Sequence, residues 1–323
     1  MSSSFRPAWW LPGPHLQTLW GKFLRRAPSQ PTKVERLDTP DGDFLDIHHL
    51  DAPPGAPLLV LLHGLEGGIR SHYIQGLLSQ AKIRRWRAAV LVFRSCGTEM
   101  NRTPRSYHSG ETTDLHFALE HLSRSFPSTA FILTGASLGG NVLLKYLGEQ
   151  GADLPRHIKA AAAVSVPFNL GEASRHIGKG FARVYQHNFL RSLRRKARLK
   201  LDRFPDLVPA ADIDRAATLF DFDDVFTAPV HGFEGADHYY TQSSSLAWLS
   251  RIRVDTLLLS AVDDPFLPAR VLDDVRDAVA GNPHIHPEFS SRGGHVGFVS
   301  GNNPFRPDYY LELRVCDFLA EHI

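Results

Sequence analysis

The chain has 323 residues, 43% hydrophobic and 22% charged, which is ordinary for a soluble globular protein and long enough to bury a full core. Its formal net charge of +2 argues against a dedicated nucleic-acid binder, and no stretch approaches the ~18 apolar residues of a membrane-spanning helix. Cys96 and Cys316 stand far apart with no CxxC spacing, so two free thiols are expected.

The first stretch, "MSSSFRPAWWLPGPHLQTLWGKFLRR", has no cationic start followed by an apolar run and a cleavage site, which gives a cytoplasmic default. Residues 1–32 read first as an arm folded onto the domain. A second reading makes residues 9–26 a peripheral membrane contact. In that reading Trp9, Trp10, Leu16, Leu19, Trp20 and Phe23 form an apolar face, with Lys22, Arg25 and Arg26 beside it. Next, "KVERLDTPDGDFLDIHHL" (33–50) predicts an antiparallel hairpin turning at Asp41-Gly42.

Five short apolar runs then follow: "PLLVLLHG" (57–64), "AAVLVFR" (88–94), "TAFILTG" (129–135), "AAAVSVP" (161–167) and "VDTLLLSA" (254–261). Each reads as a strand buried on both faces. Helical segments at 71–85, 110–125 and 138–150 separate the first four. Strand and helix in alternation predict an α/β protein with a doubly wound, mostly parallel sheet. Roughly eighty residues between the fourth and fifth runs exceed any ordinary connection. They predict a helical cap inserted at 168–250 into a core made of 33–167 and 251–323. Within it "NFLRSLRRKARLKLDR" (188–203) carries seven Lys and Arg residues, a solvated face that would also suit lipid headgroups. The chain closes with a helix, "PDYYLELRVCDFLAEHI".

Reactive groups in such a sheet belong at the carboxyl ends of the strands. Ser137 sits there in "FILTGASLGGNVLLKYL", between the third apolar run and a helix. Gly135 and Gly139 let strand and helix approach around a strained turn that projects the hydroxyl. A helix cap is the plainer reading of this serine, but the strand–turn–helix setting favours a nucleophile. A serine needs a base, and the base needs an orienting acid. "LLLSAVDDPF" offers Asp263 and Asp264 at the end of the fifth run, where one acid also suits a turn or the cap of the next helix. His295, in "SSRGGHVGF", is wrapped in glycines that would let a loop bring its imidazole to the serine. The turn after His63-Gly64 would point Leu65 N–H into the site. With Leu138 N–H it would form an oxyanion hole. His63 and the insertion aromatics Phe181, Tyr185 and Phe189 are candidates for the substrate pocket. No P-loop and no GxGxxG after the first strand are present, so no nucleotide cofactor is implied. "HIHPE" (284–288) and His48-His49 put imidazoles close together, but adjacent residues of a strand point to opposite faces, so no metal site is expected either.

Taken together, "PHLQTLW", "HGLEGG", "FRSCGTEMNRTPRSYHSGETTDL", "GASLGGNVLLKYL", "AAAVSVPFNL", "AVDDPF" and "GGHVGF" resemble the YheT-like branch of the α/β-hydrolase superfamily, a branch of esterases and lipases. The resemblance runs over nearly the whole chain, and "NRTPRSYHSGET" is its most specific piece. It implies the α/β-hydrolase fold, with Ser137 as nucleophile, His295 as base and Asp264 as the orienting acid. Pro265 agrees with that choice by holding Asp264 extended. Ser95 stands where such proteins often carry Gly. Arg94, Arg102 and His108 are read as lining the mouth of the site or as capping and salt-bridge residues. The expected function is serine-dependent hydrolysis of carboxylic esters with short- to medium-length acyl chains, monoacylglycerols and phospholipids among them. The expected partner is thus a small ester or lipid, with no nucleic acid and no assignment of oligomeric state. Thioester or amide hydrolysis, acyl transfer, and ligand binding on a retired hydrolase scaffold are the alternatives.

Overall fold

The strands β1 (Lys33–Asp38), β2 (Phe44–Leu50), β3 (Leu58–Leu62), β4 (Arg87–Val92), β5 (Phe131–Ala136), β6 (Ile158–Val164), β7 (Asp255–Ala261) and β8 (Ile285–Ser290) form one sheet in the order β1-β2-β4-β3-β5-β6-β7-β8. The computed structural model describes residues 5–25 and 29–323, so Arg26 lies outside the described residues. β1 and β2 form the antiparallel hairpin and β2 meets β4 antiparallel, whereas every pairing from β4 through β3 to β8 is parallel. All five apolar runs are strands. Their side chains split by alternation: Leu58, Val60 and Leu62 of β3 belong to the apolar layer on one face, Leu59 and Leu61 to that on the other.

Helices cover both faces. After α1 (Pro14–Phe23) come α2 (His72–Ile83), α3 (Thr113–Ser125) and α4 (Leu138–Gln150). Between β6 and β7 lie α5 (Leu170–His176), α6 (Arg183–Leu201), α7 (Ala210–Arg215), α8 (Leu219–Phe222), a π-turn (Asp223–Thr227), α9 (Ala228–Val230) and α10 (Ala236–Ser243). This segment has a small apolar core of its own, built on Leu190, Ala197, Ile213, Phe222 and Phe226. The series ends with α11 (Val271–Ala278) and α12 (Tyr310–Ala320). Helices α3, α4 and α11 pack on one face of the sheet, α2 and α12 on the other. A short ladder, β9 (Val299–Ser300) with β10 (Asp308–Tyr309), has no counterpart in the sequence reading. No described helix is long and apolar enough to cross a membrane.

The N-terminal stretch is divided in two. Ala8 and Leu11 are buried against Val299, the rings of Trp10 and Trp20 meet at 4.7 Å, and Trp10 Nε1 donates to Gly301 O. Trp9 and Phe23 are 74% and 68% exposed. Gln17 is buried: its amide donates to Val299 O (3.0 Å) and accepts from Val299 N–H (2.8 Å).

Candidate active site

The order of the sheet reverses direction around β3, and the carboxyl ends of β3, β5, β7 and β8 open on one crevice. Ser137 follows β5 with φ +54°, a left-handed conformation that a non-glycine residue holds only under the restraint of its surroundings. Its N–H donates to Val164 O, and its own carbonyl accepts from Asn141 N–H. The turn needs glycine because a Cβ on Gly135 would come within 2.4 Å of Gly139 O. One on Gly139 would meet His63 O at 2.5 Å. Close approach of strand and helix therefore forces the hydroxyl outward.

His295 Nε2 lies 3.0 Å from Ser137 Oγ, and His295 Nδ1 lies 2.8 Å from Asp264 Oδ2. The other oxygen of Asp264 accepts from Phe266 N–H at 2.8 Å. Asp264 and His295 are both buried. The structure brings together the serine, histidine and second aspartate singled out in the sequence. Asp263 points elsewhere: its carboxylate accepts Gly294 N–H at 2.9 Å, one residue before His295. Burial raises its pKa, with the Asp264 charge adding to the rise and the N–H groups of Gly294 and Gly293 opposing it. The expected helix-capping role does not occur, because α11 begins only at Val271.

The glycines around His295 have a different reason from the one expected. A Cβ on Gly294 would strike Pro14 O (2.5 Å) and Thr18 Oγ1 (2.7 Å), and one on Gly297 would strike Gln17 O (2.6 Å). They make room for α1. Thr18 Oγ1 accepts His295 N–H at 2.9 Å while donating to Pro14 O. On the other side Val296 N–H donates to Ser165 Oγ, and the Phe266 ring stacks on the imidazole at 4.1 Å. Neither α1 nor Phe266 has a place beside the histidine in the sequence reading. Phe266 lies two residues past Asp264, which is the only local hint.

Leu65 follows β3 and Leu138 opens α4, where a helix leaves its first N–H groups without partners of its own. Neither N–H donates to a protein acceptor among the described residues. Both residues line a cavity of about 130 Å³ together with Ser137 and His295. The turn carrying Leu65 is held from below. Gly64 N–H donates to the buried Tyr73 hydroxyl, and the Tyr107 hydroxyl accepts Glu66 N–H while donating to the Glu66 carboxylate.

His63 is corrected. It is wholly buried, facing Gly64 O with Nδ1 (2.8 Å) and accepting Phe93 N–H at Nε2 (3.1 Å). Burial lowers its pKa to about 4, so it is a neutral strut of the turn rather than a substrate contact. The three aromatics separate as well. Phe189 lines the cavity, Tyr185 borders the adjoining cleft with its hydroxyl on His15, and Phe181 lies outside both, 53% exposed against the His15 ring. The rest of the cavity is mostly apolar and comes largely from the segment between β6 and β7, with Leu170, Ile177, Leu193 and Phe222. Arg94 is buried among Asp114, Asp43 and Asp41, and Arg102 pairs with Asp38 at the surface. His108, by contrast, does line the cavity. Ser95 has φ +63°, which is the reason glycine suits that position. Cys96 and Cys316 are free, and no group of side chains able to hold a metal ion occurs among the described residues.

Residues 57–301 match the family model of the alpha/beta hydrolase fold, and the chain belongs to that family. Within it the chain is 38% identical over 327 aligned residues to the Escherichia coli (strain K12) protein named "Putative esterase YheT", covering all of this chain and 94% of that one. It is also 28% identical to human "Phospholipase ABHD3", over 96% of this chain and 77% of the relative. The yeast "Monoacylglycerol lipase" (Saccharomyces cerevisiae) is 30% identical over 84% of this chain and 60% of its own length. Among solved structures, the Pyrococcus furiosus esterase Pf2001 superposes with a TM-score of 0.60 at 18% identity, covering 91% of each chain. The likeness at that identity is one of fold.

Proposed function

We propose that the protein is a serine hydrolase of carboxylic esters acting through an acyl-enzyme. The observation that carries this reading is the unbroken hydrogen-bond chain Ser137–His295–Asp264 beside two free backbone N–H groups. Ser137 Oγ attacks the ester carbonyl as His295 Nε2 takes its proton. Asp264 holds the imidazole with its proton on Nδ1 and stabilises the cation that forms. The N–H groups of Leu65 and Leu138 receive the oxyanion, each donor being worth about 3 kcal/mol of barrier where such groups have been removed. His295 then gives the proton to the leaving alcohol, and water releases the acid by the same steps in reverse roles. The apolar cavity receives an acyl chain of short to medium length, with the helical segment 168–250 as its cap. Monoacylglycerols and phospholipids are substrates of this kind, and the names of the relatives agree with both.

The test is Ser137→Ala. Hydrolysis of a medium-chain p-nitrophenyl ester should fall by several orders of magnitude, roughly 10⁶-fold where triad nucleophiles have been removed. Fluorophosphonate labelling should disappear while the thermal unfolding transition stays in place. Labelling retained by the folded variant would put the nucleophile elsewhere.

A further inference from the structure

A second opening meets the same serine. Ser137, His295, Phe189 and Phe266 border both the apolar cavity and a wider cleft of about 1160 Å³. Seven Lys and Arg side chains line that cleft against two carboxylates, Asp46 and Glu66. Three of the seven are neutralised: Arg25 by Glu312, Arg36 by Asp46 and Glu99, and Lys196 by Glu66. The other four, Lys22, Arg70, Arg191 and Arg195, have no carboxylate within salt-bridge distance among the described residues. They come from three separate elements, α1, the turn after β3 and α6. On α6 the cleft-facing residues Asn188, Arg191, Ser192, Arg195 and Lys196 recur at intervals of three and four, one face of the helix. Of the seven basic residues in that stretch, Arg191, Arg195 and Lys196 therefore line the cleft, while Arg198 pairs with Asp214 at the surface. Burial is the main cause that lowers the His72 pKa to about 3, and the charges of Arg25, His295 and Lys22 push the same way.

We propose that this cleft receives an anionic, phosphate-bearing leaving group, so that the preferred substrates are esters of a short- to medium-chain acid with a phosphorylated alcohol. This rests on the hydrolase reading above and adds to it the chemistry of the alcohol side. A cleft of one sign with low-dielectric walls concentrates anions, and arginine forks match phosphate oxygens in pairs. The acyl–oxygen bond breaks, His295 protonates the alcohol oxygen, and the alcohol departs with its phosphate intact. Water supplies the hydroxyl that frees the acid.

The experiment compares 1-octanoylglycerol 3-phosphate with 1-octanoylglycerol, both as monomers in solution. At low ionic strength the ratio of kcat/KM should favour the phosphate by about tenfold or more and shrink as salt is added. The exposed pair Arg191→Glu and Arg195→Glu should bring the ratio to one or below, whereas Arg195→Lys should retain most of it. A ratio near one in the active wild-type enzyme, or an unchanged ratio in the double variant, overturns the proposal. A preference seen only when the ester is presented in anionic vesicles also overturns it, since the basic face would then be docking on a membrane. If neither ester is hydrolysed and no fluorophosphonate label appears, the hydrolase reading fails by itself. Calorimetry with octyl phosphate then decides the cleft. Binding weakened at least about tenfold in the double variant upholds it, and no binding to the wild type overturns it.

Discussion

Two neighbouring aspartates divide the labour at the site. The Asp264 carboxylate meets His295 Nδ1, while that of Asp263 holds the Gly294 N–H one residue away. Under the proposed mechanism Asp264→Asn leaves a folded protein whose turnover falls roughly 10⁴-fold, because the amide favours the wrong imidazole tautomer. Asp263→Asn keeps an oxygen for the Gly294 N–H and removes a charge that burial penalises, so it should retain most activity. Asp263→Ala leaves that N–H without its acceptor, loosens the loop and should lower kcat more than it changes KM. Kinetics on the three purified variants check the assignment, and reversed losses would make Asp263 the orienting acid. The phenyl ring of Phe266 is a second restraint on the same imidazole that no spacing in the sequence announces.

At the scale of elements, α1 is a support for the histidine loop. Thr18 Oγ1 is the acceptor for His295 N–H, and Gln17 pairs with both backbone groups of Val299. Thr18→Val keeps the shape of the side chain and removes the acceptor. It should lower stability by about 1–3 kcal/mol, the range for leaving a buried donor unpaired. It should also depress kcat with little change in KM, and urea unfolding beside steady-state kinetics would test both. An unaltered kcat would mean that the loop keeps its geometry without α1. The inserted helices separate in a similar way. Phe189→Ala enlarges the apolar cavity and should shift the preference between butanoate and decanoate esters toward the longer chain. Phe181→Ala, outside the cavity, should leave that preference where it was. A shift from Phe181 and none from Phe189 would reverse the assignment of the pocket.

For the whole molecule, buried histidines set the response to acid. Burial lowers His63 and His231 to about 4 and His72 to about 3, all below their ordinary value of 6.5. A depressed folded-state pKa means that the unfolded chain takes up the proton first. Stability is therefore full above about pH 6.5 and lost as pH falls toward 4, with His63 alone contributing about 3 kcal/mol. Asp223 acts in the opposite sense. Burial raises it to about 6, so the stability it adds is present below its ordinary value of 3.8 and lost as pH rises through 6. Three groups outweigh one, and urea unfolding should give a free energy that falls between pH 6.5 and 4.5. A flat profile over that interval would show that these histidines are solvated. At this scale the strands, their alternation with helices and the loops bearing Ser137, Asp264 and His295 are legible in the sequence. Their signals are local: apolar runs of strand length, a glycine-framed turn, and acids or glycines directly after a strand. What only the tertiary structure decided is which distant pieces meet. Thr18 reaches His295 across 277 residues, Phe189 faces the cavity while Phe181 does not, and Arg191, Arg195 and Lys196 of α6 border the cleft that meets the serine. The physical reason is that a helix records in its own sequence only that it has two faces. The partner each face meets is chosen by contacts with other elements, and no local spacing encodes those.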